Sequence, residues 1–326
     1  MLVALLVTLA TPATWALALA TFLIRGGIVV VLLPIVVLPT TVGLGNVFGP
    51  ILRSVAFGSI PIEIIAGAAL VGTATVAWLL GGGWLAAASE AHGAWIVERQ
   101  PDVTATVGGP VPVGPTLASG PEMTIPRQTG SVAARILTAR LIAAIPFGVV
   151  LAVGSIRLIF VAYRELTAPV DVATPIVVRV LRGSPEVVVG VVLAWMATEV
   201  VGAVAARRIA MTDTRIGRAL RCGVSALVRE PVASLSRFWL PTLVLIGIAV
   251  PAAVAAGSSW DAVGSSLGRH GDPIQSFLAV VVFVGLWVVG LTLIGVVCAW
   301  RAAVWTLAEV SHKGTFGGSA DRRPGH

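Results

Sequence analysis

The chain has 326 residues, 57% hydrophobic and only 11% charged, with a formal net charge of +7 and a mean hydropathy of +0.97. An ordinary soluble domain carries about 25% charged residues, and a soluble fold this apolar would expose large aggregating patches. Lipid is therefore the expected solvent, and the lack of period-two alternation along the chain excludes a lipid-facing β-barrel.

The positive charge is carried by 21 arginines and a single lysine. Most arginines cluster in a few connecting segments, as membrane topology requires, and no nucleic-acid recognition motif accompanies them. The two cysteines imply no disulfide framework. The bias to Arg over Lys, with abundant Ala, Val, Gly and Pro, suggests a GC-rich bacterial genome and hence the bacterial cytoplasmic membrane.

In chain order, the N-terminus has an apolar run and an A-x-A at Ala18–Ala20 but no basic region before it. It is expected to be retained rather than cleaved. The first fifty residues fit one span at about 14–38, with Arg25 near its centre, or two spans at about 2–24 and 27–45. A three-residue connection leaves little room for a turn, so six spans in total are favoured over seven. The next span is expected at about 58–81, with Glu63 near its outer end. GLGNVFG at 43–49 misses the spacing of a dinucleotide fingerprint and reads as a span end with Asn46 in a turn.

Residues 90–134 are dense in Pro, Gly, Ser and Thr and read as a flexible cytoplasmic loop without a core of its own. Glu90, His92 and Glu98 match no metal-ligand spacing. No metal or cofactor is expected.

A membrane region over 135–310 follows, with spans at about 138–162, 185–206, 238–257 and 276–300. Arg157 falls in the outer third of the first of these. Small residues four apart recur in three helices: Ala69, Thr73, Ala77, Gly81; then Ala144, Gly148, Ala152; then Gly190, Ala194, Thr198, Gly202, Ala206. Helices in lipid pack over such residues, so these three are expected to form the centre of the bundle.

Glu199 lies within the third ladder helix and faces the ladder side. It is about eight residues from Arg207, roughly 12 Å along the axis. A carboxylate at that depth must be protonated or paired with a cation. The expected pairs are Glu199 with Arg25 and Glu63 with Arg157.

Residues 213–229, DTRIGRALRCGVSALVR, place Ile216, Leu220, Val224, Leu227 and Val228 on one side. Arg215, Arg218, Arg221, Ser225 and Arg229 fall largely on the other, with Asp213 as the expected cap and Pro231 as the stop. A basic amphipathic helix beside a span should lie in the interface and bind anionic lipid headgroups. TPIVVRVLR, residues 174–182, is a shorter candidate for the same behaviour.

The stretch 207–237 carries seven arginines against Asp213 and Glu230, which places it and the C-terminus on the cytoplasmic side. The arginines at 164, 179 and 182 run against that orientation. GSSLG at 264–268 has the G-x-S-x-G form but is read as part of an external turn, not a nucleophile elbow. Residues 311–326 read as a disordered basic tail.

The expectation is an all-α polytopic bundle with an interfacial basic helix. The leading functional reading is a non-enzymatic membrane scaffold or accessory protein. Its partners would be the bilayer, anionic headgroups, and a membrane protein or a second copy. The alternative is a small-solute permease or channel lined by Glu199, Arg157, Glu63 and Arg25. The third is a lipid-modifying enzyme, for which the sequence names no catalytic residue.

Overall fold

A computed structural model describes residues 1–32, 62–99, 129–167, 176–268 and 273–320, with Ile35, Gly58 and Thr174. Among the described residues all regular structure is helical. The helices are α1 (Leu2–Ala10), α2 (Pro12–Phe22), a π-helical turn (Leu23–Gly27), α3 (Ile28–Leu32), α4 (Ile62–Ala77), a second π-helical turn (Trp78–Gly82) and α5 (Gly83–Glu98). They continue with α6 (Thr129–Thr167), α7 (Ile176–Arg182), α8 (Pro185–Thr212), α9 (Ile216–Arg229), α10 (Pro231–Gly268) and α11 (Pro273–Ala320). Among the described residues six stretches are long and apolar enough to cross a membrane: Pro12–Leu32, Ile62–Glu98, Gly130–Glu165, Pro185–Thr212, Pro231–Ser266 and Pro273–Ser311. The chain is an all-α polytopic membrane protein.

Proline sets several starts. Pro12, Pro185, Pro231 and Pro273 each open a helix, because the first turn needs no N–H and a φ near −65° suits it. The helices also outrun the apolar runs. The 39 residues of α6 span about 58 Å and the 48 of α11 about 72 Å, against a hydrocarbon core of about 30 Å. Helical hydrogen bonding does not end at the interface.

Several expected boundaries are corrected by this. Residues 90–98 and 129–134, assigned to the loop, are helical, and α11 runs to Ala320 where a disordered tail was expected. GSSLG is the end of α10, not a loop. Ser258, Ser259, Ser265 and Ser266 each donate a hydroxyl to the carbonyl three residues earlier, so these polar residues satisfy themselves within the helix. The GLGNVFG stretch and residues 100–128 of the expected loop lie outside the described residues.

The chain divides into two compact units: Met1–Val7, Ala91–Thr242 and Arg301–His326 in one, Thr8–Glu90 and Leu243–Trp300 in the other. In the first unit α6 and α8 pack antiparallel. Gly154 faces Val187, Gly190 faces Val150 and Gly202 faces Arg140, while the Thr198 hydroxyl donates to the Ala143 carbonyl at 3.0 Å. The ladder on α8 is thus a packing face. On α6 the contacting residues are Arg140, Ala143, Val150 and Gly154, none of them in the expected Ala144–Gly148–Ala152 row, and Gly148 is open. The α4 ladder is not packed: Ala69, Thr73, Ala77 and Gly81 are exposed.

In the second unit Ala256, Val263 and Phe283 form a core with Ile35, Ala279 and Trp287. Gly290 lets α11 approach Ala252 of α10, and Gly295 lies against the Trp15 carbonyl of α2.

Candidate functional site

Three polar arrangements stand out. The first links α8 and α11 within the first unit. Arg301 Nη2 donates to Glu199 Oε2 at 2.7 Å, and the Arg301 guanidinium lies over the Phe238 ring, 5.3 Å from its centroid. Nine residues further along α8, Arg208 Nε pairs with Glu309 Oε1 at 2.9 Å. Glu309 is eight residues beyond Arg301. The two rungs therefore run in the same sense along both helices, with the charges exchanged between them. Val200, Ala203, Val204, Phe238 and Trp305 fill the space beside these rungs. Arg208 also donates to the Cys222 sulfur at 3.3 Å, tying α9 to the same point.

The second arrangement is the broken first span of the second unit. Gly26 sits inside the helical run at φ 106 and ψ −5, a conformation open to glycine but costly for other residues. The chain turns there, and the freed Ile24 carbonyl accepts the Trp78 indole N–H at 3.0 Å. Trp78 opens the π-helical turn of the neighbouring span, and Gly82 of that turn lies against Ile24. Two irregular turns thus face one another. Neighbouring helices commonly satisfy backbone freed at such points in lipid. Arg25 Nη2 donates to Glu90 Oε2 at 2.6 Å, and the Glu90 side chain is only 5% exposed.

The expected pairs are therefore replaced. Glu199 takes Arg301, Arg25 takes Glu90, and Arg157 takes the exposed Glu186 at 3.4 Å. Glu63 is exposed in the first turn of α4. Arg301 went unnoticed because it closes the apolar run of its helix and reads as the end of a span. Its spacing to Glu309, matching Glu199 to Arg208, was the available signal.

The third arrangement is α9. It begins at Ile216, with Arg215 in the N-cap position. Asp213 caps the other helix: it stands in the left-handed region at φ 50 as the C-cap of α8. Its carboxylate pairs with Arg135, which also donates to the Asp213 and Thr214 carbonyls. In α7 Arg179 pairs with Glu165 at 3.7 Å, while Val177, Leu181 and Arg182 are exposed.

Helix α9 has three faces rather than two. Ala219 and Gly223 are buried on α8, where a Cβ on Gly223 would meet the Val201 carbonyl oxygen at 2.7 Å. Ala226 and Leu227 pack into the Val200–Phe238–Trp305 core, so Leu227 faces protein, not lipid. Ser234 of α10 donates to the Ala226 carbonyl at 3.1 Å. Val224 and Val228 remain 50% and 72% exposed. Beside them Arg218, Arg221 and Arg229 are exposed, as is Arg215. None of these four arginines enters an ion pair among the described residues.

Comparison with protein-family models, curated proteins and solved structures returns no match.

Proposed function

We propose that the protein is a non-enzymatic membrane scaffold that fixes α9 in the cytoplasmic interface of a bacterial inner membrane, against anionic lipid headgroups. The observation that carries this reading is the α9 surface. One face is locked to α8 at Gly223, and the outer face sets exposed valines beside arginines that no carboxylate neutralises among the described residues. An apolar stripe bordered by guanidinium groups matches the boundary between acyl chains and phosphates, and each basic residue near such a surface contributes about 1 kcal/mol. The carboxylates Glu199 and Glu90 are engaged by arginine, which suits a structural role.

The test is reconstitution in nanodiscs of phosphatidylcholine alone and with phosphatidylglycerol. Anionic lipid should raise the melting temperature and shield α9 from trypsin. Gly223→Val, which drives a side chain into Val201 backbone, should free α9 and abolish the shielding. Equal melting and cleavage in both lipids would overturn the proposal.

A small-solute permease is the second reading, favoured by the broken first span and its Arg25–Glu90 pair, since discontinuous helices often mark transport sites. With Cys222 and Cys298 replaced by Ala, Arg25→Cys should then react with an impermeant thiol reagent from both sides of a vesicle. A scaffold should show reaction from one side at most.

A further inference from the structure

We infer that α9 binds one anionic glycerophospholipid in a defined groove, its phosphate between Arg221, Ser225 and Arg229 and an acyl chain along Leu220, Val224 and Val228. The inference rests on the scaffold reading, in which α9 faces anionic lipid, and sharpens it from a charged surface to a site. Those six residues, all on α9, border one shallow and open depression along the helix surface.

Their spacing gives the groove its chemistry. Residues four apart on a helix stack along one row, so Arg221, Ser225 and Arg229 form a polar row. Leu220, Val224 and Val228 form an apolar row immediately beside it. Arg221 and Arg229 are about 12 Å apart along the axis, which leaves each about 6 Å from the level of Ser225. Both side chains are long enough to converge there, where guanidinium groups favour a phosphate over a carboxamide or hydroxyl partner. Along the apolar row Leu220 is half-buried, whereas Val224 and Val228 are exposed and Val232 in the next turn of chain is 81% exposed.

The opposite faces cannot compete for the ligand. Ala219 and Gly223 are buried against α8, and Cys222 is engaged by Arg208. The occupant must therefore be an amphiphile whose negative charge meets the polar row and whose apolar part crosses the apolar row. Charge complementarity selects a phospholipid over an apolar protein helix. Arg215 and Arg218 stand outside the groove, although they add the same charge to the same end of the protein.

That difference supplies the test. Full-length protein stripped of lipid in neutral detergent is titrated with short-chain phosphatidylglycerol, short-chain phosphatidylcholine and inorganic phosphate, with bound lipid counted by native mass spectrometry. One phosphatidylglycerol per chain should bind, with phosphatidylcholine at least about tenfold weaker because its quaternary ammonium cancels the phosphate charge, and inorganic phosphate at least about tenfold weaker because it brings no acyl chain. R221Q/R229Q should weaken phosphatidylglycerol about tenfold or more, while the charge-matched R215Q/R218Q stays within about twofold. Val224→Ser with Val228→Ser, at exposed positions that leave the core intact, should also weaken it. Equal losses from the two arginine pairs would overturn the site while leaving the scaffold reading in place. Inorganic phosphate binding as tightly as the lipid, or a second copy of the chain covering the valines in place of lipid, would overturn it too. No response to anionic lipid in any form would remove both.

Discussion

The rung between Glu199 and Arg301 allows the most direct test of how the first unit is held together. Two unit charges about 4 Å apart attract by about 4 kcal/mol at an effective dielectric near 20. Holding two long side chains in one arrangement offsets about 2 kcal/mol of that, leaving a net coupling of about 2 kcal/mol. The side chains are about a quarter exposed, at 25% and 23%, so the larger figures for fully buried pairs do not apply. Glu199→Gln removes the charge and keeps the shape. It should cost about 2 kcal/mol, because Arg301 retains only its contact with Phe238, worth about 1 kcal/mol. Arg301→Gln should cost slightly more, since it loses that ring contact as well. The double variant should be little worse than either single change, the signature of a coupled pair. The assay is unfolding of detergent-solubilised protein by sodium dodecyl sulfate, followed by tryptophan fluorescence, for which Trp195, Trp239 and Trp305 in the adjoining core are built-in reporters. Additive costs, with a coupling below about 0.5 kcal/mol, would refute the reasoning and make the rung a contact without energetic weight.

The second unit carries two further predictions. Gly26→Ala meets no atom within 4 Å but must adopt φ 106, so it should destabilise by about 1–2 kcal/mol through backbone strain alone; Gly67→Ala, equally open but in regular helix, is the control and should be neutral or slightly stabilising. For the Arg25–Glu90 pair, Arg25→Gln should cost more than Glu90→Gln, about 3 kcal/mol or above, because Glu90 is 5% exposed and Arg25 31%; the same unfolding titration reads both, and the reverse order would show that Arg25, not Glu90, is the group confined by the fold.

The spans were legible because hydropathy reads the thickness of the hydrocarbon, and six runs of sufficient length stand out. Their ends were not, because a helix continues as long as its backbone bonds are internal. The prolines at 12, 185, 231 and 273 mark the starts better than the apolar runs do. Glu199 was legible as a misplaced charge, but the small-residue ladder packs on α6 whereas Glu199 meets α11. Its partner was not legible, since Arg301 lies about a hundred residues away and the pairing depends on how α8 and α11 pack. On α6 the expected row was not the contact line, because Arg140, Val150 and the Ala143 carbonyl are what meet the small residues of α8. Period analysis divided α9 into polar and apolar halves. Its third face is made of Ala219 and Gly223, residues whose small size carries no hydropathy signal and shows only when a partner backbone lies against them.

The arginines separate into those that organise the fold and those that do not. Arg25, Arg135, Arg208 and Arg301 each hold a carboxylate on another helix or at a helix end, and each fixes one element against another. The α9 arginines do neither, although acidic residues adjoin them in sequence. Asp213, two residues from Arg215, is drawn away by Arg135, and Glu230, next to Arg229, is exposed. A solvated arginine needs no partner, so the row by itself would suit any wet surface. The valines beside it do not: side chains 50% and 72% exposed would each lose about 1 kcal/mol or more of transfer free energy in water relative to hydrocarbon. Only an environment that is apolar along one row and ionic along the next satisfies both, and a few ångströms separate those rows on the helix. The headgroup boundary of an anionic leaflet has that profile, which is the physical ground for proposing that α9, rather than the arginine–carboxylate pairs, meets a ligand.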